Sequence, residues 1–160
     1  MNRLAKEYRV FLKCPRDMRV LLVTNMIYAF VLPVIEIFVA AYVMRNSHDV
    51  AKVVIYQLAI YAGDPLAFWL NGILLGRMRI KHLYSIGMLL SAAAMLVMMS
   101  STVISPMAIG VSGLLMGIAS GLFWANRGFL ELSTTNDENR NYYYGVETFF
   151  ATITTVGFQQ

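Results

Sequence analysis

The feature that most constrains this chain is a series of apolar runs, each long enough to cross a lipid bilayer as a helix. About 20 apolar residues span the hydrocarbon core. A fifth apolar run is cut short by the end of the sequence. We therefore expect an all-α membrane protein whose helices form one incomplete domain. The predicted transmembrane helices are 20–44, 50–75, 83–104 and 107–130, and the partial fifth helix is 142–158.

The composition agrees with a membrane protein and leaves little room for a soluble domain. Hydrophobic residues make up 58% of the chain and charged residues 14%, whereas a soluble domain carries about 25% charged residues. The first run is longer than the roughly 7–15 apolar residues of a signal peptide. We therefore expect it to be a retained helix.

Basic residues are distributed unevenly along the chain. Eleven of them precede the first run or lie in or beside the second and fourth connections, and two lie in the first connection. Because cytoplasmic loops are rich in Lys and Arg, this bias predicts a cytoplasmic N-terminus. We expect the membrane to be a bacterial inner membrane. Basic residues at membrane edges form no single binding face, so no nucleic-acid partner is expected.

Residues 1–19 form a basic leader with apolar residues at helical spacing, and Pro15 is expected to end that helix. The leader either fixes the topology or lies on the membrane surface as an amphipathic helix held by anionic headgroups. Cys14 is the only cysteine, so a disulfide within the chain is excluded.

Polar side chains line one face of the second predicted helix. Residues spaced four and three apart fall on one side of an α-helix, and an aspartate near the bilayer centre costs about 2.5–3.5 kcal/mol. This polar stripe is therefore expected to face the bundle interior or a water-filled cavity. Its members are Gln57, Tyr61, Asp64, Phe68 and Asn71.

Asp64 has a second interpretation, because Pro65 follows it. Asp at an N-cap and Pro at the first helical position are a helix start signal. The helix could break here, with the Asp64 carboxylate accepting hydrogen bonds from freed backbone N–H groups. Broken helices also build substrate sites in transporters, so the structural and functional interpretations overlap.

The first predicted helix carries a weaker polar face. Asn25 and Glu36 are 11 residues apart, which returns to nearly the same side of a helix, and Pro33 can kink the helix just before Glu36. Glu36 could bind a proton or a cationic substrate. Alternatively, it is a paired or hydrated carboxylate near the outer interface.

Small residues recur at helical spacing on the third and fourth predicted helices. Small residues at i and i+4 let helix backbones approach closely, so we interpret both sets as packing faces. They are Gly87, Ser91 and Ala94 on the third helix and Gly110, Gly113, Gly117 and Gly121 on the fourth.

The inner end of the fourth helix combines aromatic, amide and basic side chains. Trp124 is typical of an interfacial anchor and Arg127 of a cation that snorkels to the interface. Alternatively, Arg127 turns inward and pairs with Glu147 of the fifth run as an inner gate. The connection 131–141 is expected to be a solvated loop.

No set of residues suggests an enzyme. His48 and His82 are expected at opposite membrane faces and cannot share a metal. The chain contains no phosphate loop and no nucleophile motif. We therefore expect no catalytic residues, no metal and no cofactor.

The connection between the second and third helices, Gly72–Leu83, reads GILLGRMRIKHL. It resembles the signature loop of the major facilitator superfamily, Gly-x-Leu-x-Asp-Arg-x-Gly-Arg-Lys, which also lies between the second and third helices. In the family that aspartate helps to lock the inner gate, so Glu131 or Glu147 would have to substitute for it here. The matching positions are Gly72, Leu74, Arg77 and Lys81, whereas Gly76 replaces the aspartate and Arg79 the second glycine.

The resemblance implies a transporter of about twelve helices in two six-helix halves, of which this chain is most of the first. The first and fourth helices line the path in that architecture, and the second and fifth contribute to it. The missing C-terminal half would supply the other wall. The resemblance marks Asn25, Glu36, Asn126 and Glu147 as wall residues, and Gly72, Arg77, Arg79, Lys81 and Arg127 as loop or gating residues.

We therefore expect a fragment of a secondary active transporter, embedded in the lipid bilayer, that moves a small solute or ion by alternating access. A proton is the expected coupling ion, through Glu36, Asp64 or Glu147. Two alternatives stay open. One is a small four-helix exporter that uses Glu36 as its exchange carboxylate, and the other is a non-transport scaffold subunit of a membrane assembly.

Overall fold

The computed structural model of the chain describes residues 9–100 and 105–158, which are helical apart from short turns. No strand occurs among these described residues. A helical segment at 9–13 ends before Pro15, as expected for a residue whose ring cannot continue a helix. The helices that follow are α1 (Arg16–Ser47), α2 (Val50–Leu74), α3 (Ile80–Ser100), α4 (Pro106–Thr134) and α5 (Asp137–Phe158).

Helices α1 to α4 are long and apolar enough to cross a membrane. They contain 32, 25, 21 and 29 residues, against the roughly 20 that a bilayer requires. The prediction of an all-helical chain with four membrane-compatible helices is therefore confirmed. The predicted third connection falls partly at 101–104, outside the described residues.

Helix α4 continues beyond its predicted end, so the predicted solvated loop at 131–141 is wrong. The helix runs to Thr134, and Glu131 is buried with only 5% of its surface exposed. The hydroxyl of Thr134 donates to the carbonyl of Leu130 over 2.6 Å, and that of Thr135 to the carbonyl of Glu131 over 2.7 Å. These side-chain bonds reinforce the last turn of α4, where the backbone N–H of Thr135 also donates to the carbonyl of Glu131 over 3.1 Å.

A tight turn joins α4 to α5, because Asn136 already serves as the N-cap of α5. Its backbone N–H donates to the side chain of Asn139 over 2.7 Å, which is the return half of a capping box. Asp137 and Glu138 occupy the first turn of α5, where negative charge is favourable. The polar sequence therefore forms a helix start, and only two residues separate α4 from α5.

Helix α2 runs unbroken through Asp64 and Pro65, so the predicted break is wrong. The N-cap of α2 is Asp49, whose side chain accepts from the backbone N–H of Ala51 over 2.9 Å. Proline inside a membrane helix is tolerated where neighbouring groups satisfy the freed backbone. Helix α1 likewise continues through Pro33.

The chain divides into two compact units, and both α1 and α4 contribute residues to each. We call Val34–Gly128 the glycine unit. We call the described residues up to Pro33, together with those from Phe129 onward, the acidic unit. Each unit has its own packing chemistry.

In the glycine unit, α4 packs against α2 at backbone distance. A Cβ atom added to Gly117 would collide with the carbonyl oxygen of Ile60 and would lie 2.9 Å from the Cα of Gly63. A Cβ added to Gly113 would lie 2.7 Å from the carbonyl oxygen of Tyr56, and one added to Gly121 would lie 2.5 Å from the Cβ of Ala67, whereas Gly110 has nothing within 4 Å. The predicted glycine face is therefore correct at three positions and wrong at Gly110.

The buried face of α2 is the one that meets these glycines. It consists of Tyr56, Ile60, Gly63, Ala67 and Asn71.

Three members of the predicted polar stripe, Gln57, Tyr61 and Phe68, are exposed. The small side chains at 63 and 67 allow the closer approach and take the contact with α4. The predicted surroundings of the polar stripe, the bundle interior or a water-filled cavity, stay a prediction.

Helix α3 packs on another part of α4. Gly87, Ser91 and Ala94 are all buried, which confirms the predicted packing face. A Cβ added to Gly87 would lie 2.8 Å from the backbone nitrogen of Phe123. The rings of Tyr84 and Phe123 lie 5.1 Å apart, within the range of favourable aromatic pairs.

Candidate functional site

Asn25 lies at the centre of a buried polar cluster in the acidic unit. Its Nδ2 atom lies 3.0 Å from Oε1 of Glu131, 2.7 Å from the hydroxyl oxygen of Tyr143 and 3.1 Å from Oε1 of Glu147. The Tyr143 hydroxyl also donates to Oε1 of Glu131 over 3.4 Å. Helices α1, α4 and α5 thus meet in what we call the carboxylate cluster, formed by these four residues.

Local sequence explains why these side chains converge. Tyr143 and Glu147 are one helical turn apart on α5 and so point to the same side. Glu131 lies in the last turn of α4, close to the turn that fixes the start of α5. Asn25 is 3% exposed and Tyr143 is fully buried, whereas Glu147 is half-buried. The cluster is therefore screened from solvent on most sides.

The two carboxylates of the cluster are close enough to repel each other strongly. Because both accept from one amide nitrogen, their Oε1 atoms lie within about 6 Å of each other. At an effective dielectric constant near 20, two unit charges at that distance repel by about 3 kcal/mol. The Asn25 amide therefore holds two acidic side chains close together where three helices meet.

A second polar pair joins α2 to α4 in the glycine unit. Nδ2 of Asn126 donates to Oδ1 of Asn71 over 2.7 Å and to the carbonyl of Leu122 over 2.8 Å. Both asparagines are buried. The pair is neutral and mutually hydrogen-bonded, as buried polar groups in proteins generally are. The structure therefore brings together two predicted pathway residues, Asn71 and Asn126, and their hydrogen bond also joins α2 to α4.

Asp64 makes its contact in the glycine unit with a serine hydroxyl. Ser120 donates to Oδ1 of Asp64 over 2.6 Å, and the same hydroxyl lies 3.2 Å from the carbonyl of Gly117. Asp64 is half-buried. The short distance is typical of a charge-assisted hydrogen bond. Asp64 thus satisfies its carboxylate across the α2–α4 contact, without a helix break.

Arg127 contacts an aromatic ring of its own helix. Its guanidinium carbon lies 4.7 Å from the centre of the Trp124 ring, a cation–π distance. This contact agrees with the interfacial interpretation of both residues. The Arg127–Glu147 gate stays a prediction. Glu36 lies in α1, but its side chain is outside the described part of the chain.

The loop that carries the family resemblance forms a tight turn between α2 and α3. Gly72 is still within α2, and Lys81 lies in the first turn of α3. The backbone N–H of Arg77 donates to the carbonyl of Leu74 over 2.9 Å. Arg77 and Arg79 are both exposed, so their guanidinium groups are accessible at this end of the helices.

Three residues that take part in these contacts were not predicted as site residues, namely Ser120, Glu131 and Tyr143. Glu131 was expected only as a possible gate acid in a loop. Tyr143 could have been found from its position one turn before Glu147. Glu131 could have been found by extending the helical spacing from Asn126 through Leu130. Ser120 carries no comparable signal, because serine is also an ordinary packing residue in membrane helices.

Comparison with known proteins finds no matching family model, no matching curated protein and no matching solved structure. The likeness to the major facilitator superfamily therefore rests on the sequence features of the chain itself. Among the described residues, no group of three His, Cys, Asp or Glu side chains is arranged to hold a metal ion.

Proposed function

We propose that this chain is the N-terminal part of a secondary active transporter of the major facilitator type, which moves a small solute by alternating access and is driven by protons. The carboxylate cluster is the observation that carries the proposal. Ionisable side chains among membrane helices are costly and typically mark ion or substrate pathways. Here two carboxylates and a phenol meet between three helices, in a chain with four membrane-compatible helices.

The cluster suggests how proton binding could drive a conformational change. With both Glu131 and Glu147 ionised, their repulsion favours separation of the α4 and α5 segments that carry them. A proton on either group removes the repulsion and favours the close arrangement. A ligand shifts a conformational equilibrium only by its differential affinity for the two states, and this repulsion provides such a difference.

The loop between α2 and α3 supports the family assignment within this proposal. When this loop is compared with the signature loop of the family, Arg77 and Lys81 match its basic positions, and Gly76 occupies the position of its aspartate. Glu131 and Glu147 are the acidic residues that could substitute for that aspartate. We propose that these two residues combine the roles of proton site and gate acid.

Uptake into proteoliposomes tests the proposed function. The full-length protein is reconstituted and supplied with a panel of radiolabelled sugars, amino acids, organic cations and organic anions under an imposed pH gradient. We expect one class to accumulate in response to the gradient. We expect Glu131→Gln and Glu147→Gln to abolish proton-driven accumulation, because each leaves only one ionisable carboxyl group in the cluster.

Glu138→Gln is the matched control, because Glu138 is an exposed carboxylate on the same helix as Glu147. It should transport like the unmodified protein. The proton-coupled mechanism is wrong if both cluster variants accumulate solute at the control rate. The transport proposal itself is wrong if no solute class responds to a pH gradient or exchanges across the membrane.

The gene beyond the codon for Gln160 tests the architecture separately. A major facilitator transporter requires about seven further apolar spans, with a long cytoplasmic loop after the sixth helix. A reading frame that stopped directly after Gln160 would contradict this architecture and would favour the four-helix exporter.

A further inference from the structure

A groove of about 440 Å³ lies in the acidic unit where the helical segment 9–13 approaches the start of α1. It is distinct from the carboxylate cluster and shares no residue with it. The groove is lined by Phe11, Arg16, Arg19, Val20, Val23 and Thr24.

One end of the groove is cationic. Arg16 is exposed, and Arg19 is half-buried with its Nε atom shielded from solvent. No acceptor among the described residues reaches this Nε atom. A buried N–H group without an acceptor is costly, so the Arg19 guanidinium is suited to an anionic partner. Both arginines line the groove, and the planar, multidentate guanidinium group suits the binding of phosphate.

The other end of the groove is apolar. Val20 and Val23 lie one turn further along α1 and are 57% and 44% exposed, and Phe11 adds an aromatic wall. The hydroxyl of Thr24 donates to the carbonyl of Val20 over 2.7 Å, so its hydrogen is already used. A ligand that filled the groove would therefore need both a negative group and a hydrocarbon part.

We propose that this groove binds an anionic phospholipid, with its phosphate at Arg16 and Arg19 and an acyl chain along Val20 and Val23. Helix α1 is membrane-compatible, and basic residues at the end of such a helix lie at headgroup level. A free phosphate ion would satisfy only the arginines and leave the apolar wall uncovered. The proposal does not depend on transport, so it can fail while the proposed function stands.

Native mass spectrometry of the full chain in a neutral detergent measures the binding directly. We expect one tightly bound phosphatidylglycerol per chain. We expect Arg16→Gln and Arg19→Gln each to weaken it about fivefold, which corresponds to the roughly 1 kcal/mol that one basic residue contributes near an anionic membrane surface. Arg45→Gln is the matched control, because Arg45 is an exposed arginine in the last turn of the same helix, and it should bind like the unmodified chain.

Three probes distinguish the possible sources of the ligand chemistry. Phosphatidylcholine with the same acyl chains carries no net negative charge and should bind at least tenfold more weakly than phosphatidylglycerol. Inorganic phosphate and glycerol phosphate lack the acyl chains and should bind more weakly still. Equal binding of the two phospholipids, or inorganic phosphate binding as tightly as phosphatidylglycerol, would overturn the proposal.

Cys14 provides a second readout that needs no substitution. Burial raises the pKa of the Cys14 thiol, and the nearby Arg19 cation lowers it in part. An anionic headgroup on Arg19 would offset that cation, raise the pKa of Cys14 further and reduce the thiolate fraction. Because the thiolate is the reactive form, maleimide labelling at pH 8 should slow in phosphatidylglycerol and not in phosphatidylcholine. An equal rate in both lipids would overturn the placement of the headgroup at Arg19.

Discussion

The glycine unit and the acidic unit hold their helices together by different chemistry. In the glycine unit, Gly113, Gly117 and Gly121 bring α4 to within backbone contact of α2. In the acidic unit, an amide, a phenol and two carboxylates join α1, α4 and α5. The first contact rests mainly on the close fit of backbones, with hydrogen bonds from Asn126 to Asn71 and from Ser120 to Asp64 added to it, whereas the second is built from polar and acidic side chains.

This difference separates a rigid contact from a switchable one. The approach of Gly113, Gly117 and Gly121 to the backbone of α2 involves no titrating side chain in itself, although Asp64 lies on the same contact and accepts from Ser120. A pair of neighbouring carboxylates changes its interaction free energy with each proton bound. We therefore expect substitutions in the glycine unit to affect stability, and substitutions in the acidic unit to affect stability and proton response together.

Gly117→Ala should have the largest effect on stability. The added methyl group would collide with the backbone of α2 at Ile60 and Gly63, and overpacking of this kind costs about 1–3 kcal/mol. Backbone cannot yield as a flexible side chain can, so we expect the upper end of that range. Denaturation by sodium dodecyl sulfate, followed by circular dichroism, measures the free energy of unfolding.

Gly110→Ala is the matched control for Gly117→Ala on the same helix. Gly110 has no neighbour within 4 Å, so the added methyl group should stabilise the helix by up to about 1 kcal/mol through its higher helix propensity. If both variants changed stability equally, close packing of α2 and α4 would not be the main contact of the glycine unit.

Asn25→Ala should have the second largest effect on stability. It removes both amide hydrogens from the carboxylate cluster while the buried Glu131 stays in place. Loss of a hydrogen-bond donor to a buried polar group costs about 1–3 kcal/mol, and we expect about 2 kcal/mol in the same denaturation assay.

Asn46→Ala is the control for that prediction. Asn46 lies on the same helix and donates to the carbonyl of Tyr42 over 2.8 Å, but it is exposed, so its removal should change stability by less than about 0.5 kcal/mol. If Asn25→Ala cost no more than Asn46→Ala, the carboxylate cluster would not be the contact that holds the acidic unit together.

Ser120→Ala should have the smallest effect of the three. It removes the 2.6 Å hydrogen bond to Asp64, but the half-buried carboxylate can partly regain solvent contact. We expect a loss of about 1 kcal/mol, with Ser85→Ala as the control because Ser85 is exposed and bonds only within its own helix. If Ser120→Ala cost as much as Gly117→Ala, polar contacts would rival backbone packing between α2 and α4.

The helices themselves were predictable, whereas several of their contacts were not. Long apolar runs are local features of the sequence, and they predicted the positions of all four membrane-compatible helices. The face of α2 that packs on α4 was not predictable, because burial depends on which face finds a close partner. Gly63 and Ala67 offered that partner to α4, so Gln57 and Tyr61 stayed outside.

The carboxylate cluster shows the same division between local and distant information. Asn25 was predicted as a pathway residue from its spacing to Glu36, and the family resemblance marked both Asn25 and Glu147. Nothing in either run indicated that they meet, because 122 positions separate them. Glu131 was assigned to a loop because its neighbours are polar, and only the continued helix places it beside Asn25.

The sequence by itself determined that this chain forms long apolar helices with few ionisable side chains, because length and hydropathy act within each segment. Only the tertiary structure decided which of those side chains share a site. Asn25 lies 106 and 118 positions from Glu131 and Tyr143, and contacts at such separations depend on how helices pack. Helix packing is set by which small residues allow the closest approach.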